Sequence, residues 1–398
     1  MPNDPIHQLE LAMFDPILGA GAPLWLANGD LVRRELDAFA RSLEPDYEHV
    51  MSPPIARPEL YRRSGHLERY ANAMFPVMER DGEQLVLRPM NCPHHILVYR
   101  RRPRLASELP VRIAECAAMF RYELSGVLRG LHRVRCINLN DGHLFVRPDQ
   151  IAGEIAVLVD QVRMAYRALG IDVAYWRLSL RDASDAYVGG DELWAQAEHA
   201  LRHAARDAGI EVVDKRGEAA FYGPKLDVQV IDGEGREESL STIQLDFNLP
   251  ERFDLRYRVA GSGWQRPVLI HRSILSSMER MVAHLLDVHG VNLPMWLAPV
   301  QLVVAPINER CEAAAIEAAA LALDRGIRAR VDLSGALGAK LKRARSNGVP
   351  AVAVIGDREV ASGQLAVRRH GIPDGEPIDA RRFLDDFAAA LARRQARW

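Results

Sequence analysis

The chain has 398 residues, a formal net charge of −2, 48% hydrophobic residues and 26% charged residues. That length accommodates two or three domains with a substantial core. The near-neutral balance excludes a globally basic nucleic-acid binder, although a local basic patch remains open. No apolar run approaches the length needed to span a bilayer. The four cysteines (Cys92, Cys116, Cys136 and Cys311) are too widely spaced for a disulfide framework, and MPNDPIHQLELAMFD lacks the basic start and apolar run of a secretory signal. A reducing, cytoplasmic address is expected.

In chain order, residues 22–43 read as a turn and an amphipathic helix, with Asp30 as N-cap and Val32, Leu36, Phe39, Ala40 and Leu43 on one face. Glu44-Pro45 ends it. HVMSPPI reads as a short strand that Pro53 and Pro54 confine to an edge or a subunit contact. An Asp81-Gly82 turn introduces a strand from Glu83 to Pro89, and Cys92-Pro93-His94-His95 begins a helix.

The stretch MFRYELSGVLRGLHRVRCINLNDGHLFV (119–146) reads as a hairpin turning through Ser125-Gly126. Alternation on the return strand puts Arg133, Arg135, Ile137, Leu139, Asp141 and His143 on one face. Two guanidinium groups, a carboxylate and an imidazole suit a phosphate or metal site, and equally a solvated edge hairpin. Beyond it, Asp149–Leu169 is predicted as a helix and Val173–Leu180 as a strand. A helix from about Asp191 to Ala208 follows, then the strand GIEVVD. Two more strands flank the turn Asp232-Gly233-Glu234-Gly235. The strand Pro267–His271 leads into a helix Ser273–Val288 with Ile274, Met278, Met281 and Leu285 inside. Strands with interleaved helices and no βαβ alternation predict an α+β antiparallel sheet over about 290 residues. After Leu297-Ala298-Pro299 the style changes. QLVVAPI, RARVD and AVAVIGD alternate with helices near 310–325 and 335–346, and a helix near 379–396 closes a small α/β domain. There is no internal repeat or low-complexity tract.

Cys92, His143 and His271 offer a thiolate and two imidazoles, a donor set that suits zinc with a fourth position open. They lie far apart in sequence and the chain has thirteen histidines, so packing and capping roles compete. Arg121, Glu123, Arg133 and Arg280 are candidates for a nucleoside triphosphate, with arginines on phosphate and Glu123 on a base amino group; surface ion pairs are the alternative. Tyr222-Gly223-Pro224-Lys225 is a tight turn bearing a phenol and an ammonium. No Walker loop or Gly-x-Gly-x-x-Gly fingerprint is present.

Taken together, RPMNCPHH, RIAECAAMFRYELSG, NDGHLF, AFYGPKLD, TIQLDF, HRSILSSMERM and WLAPVQLVV resemble threonyl-tRNA synthetases, in that order and over nearly the whole chain from about residue 8. The resemblance implies a class II synthetase catalytic domain (1–296), an antiparallel sheet flanked by helices, and a small α/β anticodon-binding domain (297–398). It implies a homodimer built through the segment of Pro53-Pro54. Arg121, Arg280 and Lys225 match the catalytic residues, with Arg121 on the α-phosphate and the amino-acid carboxylate. Glu123, Arg133 and Arg280 match ATP-binding positions. Cys92, His143 and His271 sit on the zinc ligands, and Asp141 on the acceptor of the threonine hydroxyl. Tyr222, Gln244 and Ser277 fall on pocket positions, and Glu359 and Arg368 on anticodon-reading ones. ATP with Mg²⁺, L-threonine and tRNA(Thr) are the implied cofactor and partners.

Three departures accompany the resemblance. The chain starts almost at the catalytic domain, so no cis editing is expected and a trans-editing protein is an implied partner. Leu139 stands where a glutamine usually meets the amino-acid carboxylate, and Ile137 where a phenylalanine usually stacks on adenine. His94 replaces a glycine beside the first zinc ligand and is read as a supporting or surface residue. These departures raise a specialised paralogue that activates threonine or a β-hydroxy analogue for a carrier protein or pathway, and a non-catalytic tRNA-binding regulator. Against the carrier-protein reading stand Glu359, Arg368 and the basic run from Lys340 to Arg345.

Overall fold

The computed structural model describes residues 4–369 and 377–397. After a single helical turn at Pro5–Gln8, the first long helix, α1 (Ala27–Leu43), starts one turn before Asp30, so Asp30 lies in the first turn and not at the cap. There its carboxylate suits the positive end of the helix dipole and pairs with Arg33 and Arg34. HVMSPPI does not form one strand. Pro53 and Pro54 split it into β1 (Glu48–His49) and a separate two-residue strand, Ile55–Ala56, because neither proline can donate to a ladder. After α2 (Pro58–Ser64), the expected helix α3 (Cys92–Arg100) forms with Pro93 in its first turn.

The main sheet adds β2 (Val111–Phe120), β3 (Cys136–Val146), β4 (Tyr175–Leu180), β5 (Val212–Arg216), β6 (Lys225–Ile231), β7 (Glu237–Asp246) and β8 (Val268–Ser273) to β1. Their order across the sheet is β5-β4-β6-β7-β8-β3-β2-β1. The two edge pairs are parallel and all pairs between them antiparallel, as the absence of βαβ alternation predicts. Helices α4 (Ile151–Leu169), α5 (Asp191–Asp207) and α6 (Met278–His289) cover one face, and the largest apolar cluster lies between them and the sheet.

Three local expectations change. Arg133 and Arg135 precede β3, so the one-face pattern holds only from Ile137 to His143. The strand predicted as GIEVVD begins three residues later, at Val212. The helix expected from Ser273 begins at Met278, because β8 runs on through His271 to Ser273 and Ser277 provides the cap. Ile274 is buried, but in the connection between them.

The C-terminal part holds β9 (Leu302–Pro306), α7 (Glu312–Leu323), β10 (Ala329–Val331), α8 (Leu337–Ser346), β11 (Ala351–Ile355), β12 (Gln364–Arg369), β13 (Ile378–Asp379) and α9 (Ala380–Ala392). The order is β10-β9-β11-β12-β13, with the first three strands parallel and the last two antiparallel. Among the described residues, no helix is long and apolar enough to cross a membrane.

Candidate active site

Register on the main sheet assembles the site. Lys225 pairs with Gln244, Gln244 with His271, and His271 with His143, so four side chains from four strands form one row on one face. Asp141 and Leu139 follow His143 at two-residue steps on the same face. Above this face opens a cavity of about 560 Å³. Cys92 reaches it from the N-terminus of α3, and Tyr222 from the turn before β6. A smaller recess of about 50 Å³ lined by Glu123, Arg133, Ile137 and Ser277 shares Arg121, Leu139 and Arg280 with the main cavity.

The donor atoms of Cys92, His143 and His271 all lie within 4.8 Å of one another, and all three residues are buried. His143 Nε2 is 3.0 Å from His271 Nδ1. The outer nitrogens are also held: His271 Nε2 lies 2.9 Å from Asp246 Oδ2, and His143 Nδ1 lies 2.9 Å from His95 Nδ1. His95 is in turn held by Asn91 and Glu115. Carboxylates and hydrogen-bonded partners behind imidazoles fix ring orientation in metal sites. Two oriented imidazoles and a thiol, with no fourth donor in the group among the described residues, fit zinc with one open position. Burial pushes the Cys92 thiol well above its usual range and the His143 imidazole well below. Burial also raises the Asp141 carboxyl to about 7, against the pull of Arg272.

Around the trio, Tyr222 donates to Gln244 Oε1 at 2.7 Å, and its ring stacks on His271 at 4.8 Å. Lys225 Nζ is 3.2 Å from Asp227. Arg121 is only loosely seated, with Nε 3.5 Å from the Pro89 carbonyl. Among the described residues it has no carboxylate within ion-pair distance. A guanidinium without a counter-ion at a cavity wall is suited to an anionic ligand. Arg133 and Glu123 pair with each other, through two hydrogen bonds of 3.0 and 2.8 Å to Oε2. Ser277 accepts from Arg280 N–H and caps α6, a structural task in its own right. Ile137 packs with Ala117, Met119 and Val134, and Leu139 joins that apolar patch.

The remaining expectations divide. Glu359 caps its own short helix by accepting from Gly356 N–H at 2.8 Å, and Arg368 is exposed on β12, both in the C-terminal part and outside the cavity. The basic run of α8 is not one exposed patch: Lys340 is buried and donates to the Pro306 carbonyl, and Arg343 pairs with Asp332. His94 donates to or accepts from the Tyr61 hydroxyl at 2.8 Å and stands outside the metal trio. Sequence reasoning missed His66, His95, Asp246 and Arg272. Asp246 was within reach, two positions beyond Gln244 on one strand. His66, whose Nε2 lies 3.8 Å from Cys92 Sγ, opens a one-turn helix (His66–Arg69) too short to show a period.

Comparison with known proteins places the chain in a family. Residues 75–289 match the tRNA synthetase class II core domain (G, H, P, S and T), and residues 301–388 match an anticodon binding domain. A threonine–tRNA ligase of Geobacillus sp. (strain WCH70) is 45% identical over 96% of this chain and 60% of its own length. One from Streptococcus thermophilus is 44% identical over 97% and 61%. The chain thus spans about three-fifths of the curated relatives it matches. The crystal structure of the RNA binding domain of threonyl-tRNA synthetase from Cryptosporidium parvum Iowa II superposes with a TM-score of 0.90 at 32% identity, covering 97% of both chains. The chain belongs to the threonyl-tRNA synthetase family of class II tRNA synthetases.

Proposed function

We propose that the chain activates L-threonine with ATP and transfers it to tRNA(Thr). The observation that carries this reading is the row Lys225–Gln244–His271–His143, with Asp141 beside it and an unpaired Arg121 at the cavity wall. Cys92, His143 and His271 would hold zinc, which when bound supplies an open Lewis-acid position for the amino and hydroxyl groups of threonine. Asp141 accepts a hydrogen bond from the hydroxyl. Valine offers no hydroxyl and leaves that buried carboxyl without a partner, a mismatch that rejects isosteres by roughly 10⁴ or more. Serine keeps the hydroxyl and loses one methyl, worth only about 1–3 kcal/mol.

Arg121 binds the amino-acid carboxylate and the α-phosphate and so brings the reacting atoms together. Arg280 and Lys225 take the phosphate chain with Mg²⁺, and stabilise charge on in-line attack without a covalent enzyme intermediate. Ile137 receives the adenine and Glu123 its amino group after parting from Arg133, while Leu139 faces the amino-acid carboxylate. We place the catalytic unit at 1–296 and the tRNA-reading unit at 297–398, with Glu359 and Arg368 on the anticodon. The edge formed by β1 and Pro53-Pro54 is the dimer contact.

The test is amino-acid-dependent ATP–pyrophosphate exchange on zinc-replete protein, followed by charging of tRNA(Thr). Exchange with threonine, less with serine and none with valine supports the reading. No exchange with any of the three discards it.

A further inference from the structure

Arg280, proposed for the phosphate chain, is seated by groups from two neighbouring segments. Its Nε donates to the His132 carbonyl at 3.2 Å and its Nη1 to the Ser239 carbonyl at 3.3 Å. Glu238 Oε1 stands 3.6 Å from the same Nε and 3.4 Å from Arg129 Nη2. The other oxygen of Glu238 lies 3.1 Å from His132 Nδ1, and His132 Nε2 lies 3.1 Å from Asp287 Oδ2. Both nitrogens of this imidazole therefore face carboxylates. A neutral imidazole has one N–H and would confront one of them with a lone pair; only the doubly protonated ring satisfies both.

We propose that the imidazolium of His132 is a positioning residue that competes for Glu238 and so limits its pull on Arg280, leaving the Arg280 guanidinium directed at the nucleotide phosphates. This rests on the nucleotide-binding reading of the cavity. Glu238 is shared by three cations, and its pull on each depends on the others. Removing the His132 charge leaves the carboxylate to Arg129 and Arg280, and draws Arg280 back from the cavity. The surroundings are Glu238 from β7, Asp287 and His284 from α6, Arg129 beside His132, and Asp232 and Arg236 in the β6–β7 turn, where Asp232 pairs with both Arg236 and Arg129. Burial works against the charge on His132, but the hydrogen bonds to Asp287 and Glu238 outweigh it and raise the ring to about 9. Seating of Arg280 should thus fail on the alkaline side.

The experiment is threonine-dependent ATP–pyrophosphate exchange on the full chain with ATP varied from pH 7 to 10. It compares the unmodified protein, His132→Gln, and the double variant His132→Gln/Glu238→Gln. For the unmodified protein, the ATP KM is expected to climb as pH passes 9, with the threonine KM little changed. At pH 7.5 His132→Gln should raise the ATP KM roughly three- to tenfold, the reach of a partly buried ion pair, and lose the alkaline dependence. The double variant should recover the ATP KM, because no carboxylate is left to pull. A merely structural role predicts the opposite, further damage. An unchanged ATP KM in His132→Gln, or no recovery in the double variant, overturns the proposal while leaving the synthetase reading intact. If the unmodified chain neither exchanges nor binds ATP in calorimetry, both fall together.

Discussion

Asp246 never reaches the cavity centre, yet its carboxylate lies 2.9 Å from the outer nitrogen of His271 and is fully buried. It also caps the following turn by accepting from Asn248 and Leu249 N–H. Replacing it by asparagine keeps the shape and removes the charge that makes His271 a better donor to a metal. Asp246→Asn should weaken zinc affinity roughly 10–100-fold, as read by competition with a chromogenic chelator. A Cys92→Ser variant should retain much less zinc on metal analysis, since hydroxyl is a poor substitute for thiolate. His132 gives a separate stability prediction. Its folded-state pKa of about 9 lies above the ordinary 6.5. Its contribution is therefore fully present below pH 6.5 and lost as pH rises through 9. The urea midpoint should fall across that window, and His132→Gln should flatten the slope.

At the scale of elements, the sheet is bound to α1 by a pair that no local pattern announces. Arg272 on β8 is fully buried, pairs with Glu44 at 2.7 Å and lies over the Tyr47 ring at 4.8 Å. Glu44 is the C-cap of α1. Glu44→Ala would leave a buried guanidinium without its counter-ion, a loss of about 3–5 kcal/mol. Chemical denaturation should show that drop, and an unchanged midpoint would refute it. This pair also marks where the sequence was legible. Strand alternation placed Ile137, Leu139, Asp141 and His143 on one face, since a period of two is a local property. Which strand lies beside which is decided by non-local contacts, the widest of them between His271 and His143 from distant parts of the chain, so the row from Lys225 to His143 could be assembled only by resemblance or by structure. Helix starts failed at Asp30 and Ser273 for a related reason. Both residues are good caps by composition, but the hydrogen bonds of the flanking strand or turn moved the true start by about a turn.

On the scale of the whole molecule, the two halves meet through Arg328. Its guanidinium donates to Glu35 on α1 at 2.9 Å and to the carbonyls of Trp296 and Ala298 at 2.6 and 3.0 Å. Trp296 packs edge-on against Phe39 at 5.1 Å, and Arg394 lies over both rings. One side chain therefore holds the end of the first unit, its N-terminal helix and the start of the second in one arrangement. If the C-terminal unit reads the anticodon while the cavity performs activation, that arrangement sets the reach between the two tasks. Arg328→Ala removes charge-assisted hydrogen bonds worth about 1.5–3 kcal/mol each at most, and none of them touches the cavity. Pyrophosphate exchange should be unchanged in this variant, the tRNA KM should rise, and calorimetric unfolding should broaden or split as the units uncouple. A tRNA KM equal to that of the unmodified chain would mean that the remaining contacts, the shared rings and the Arg394–Ser42 hydrogen bond among them, are enough to hold the two units in register.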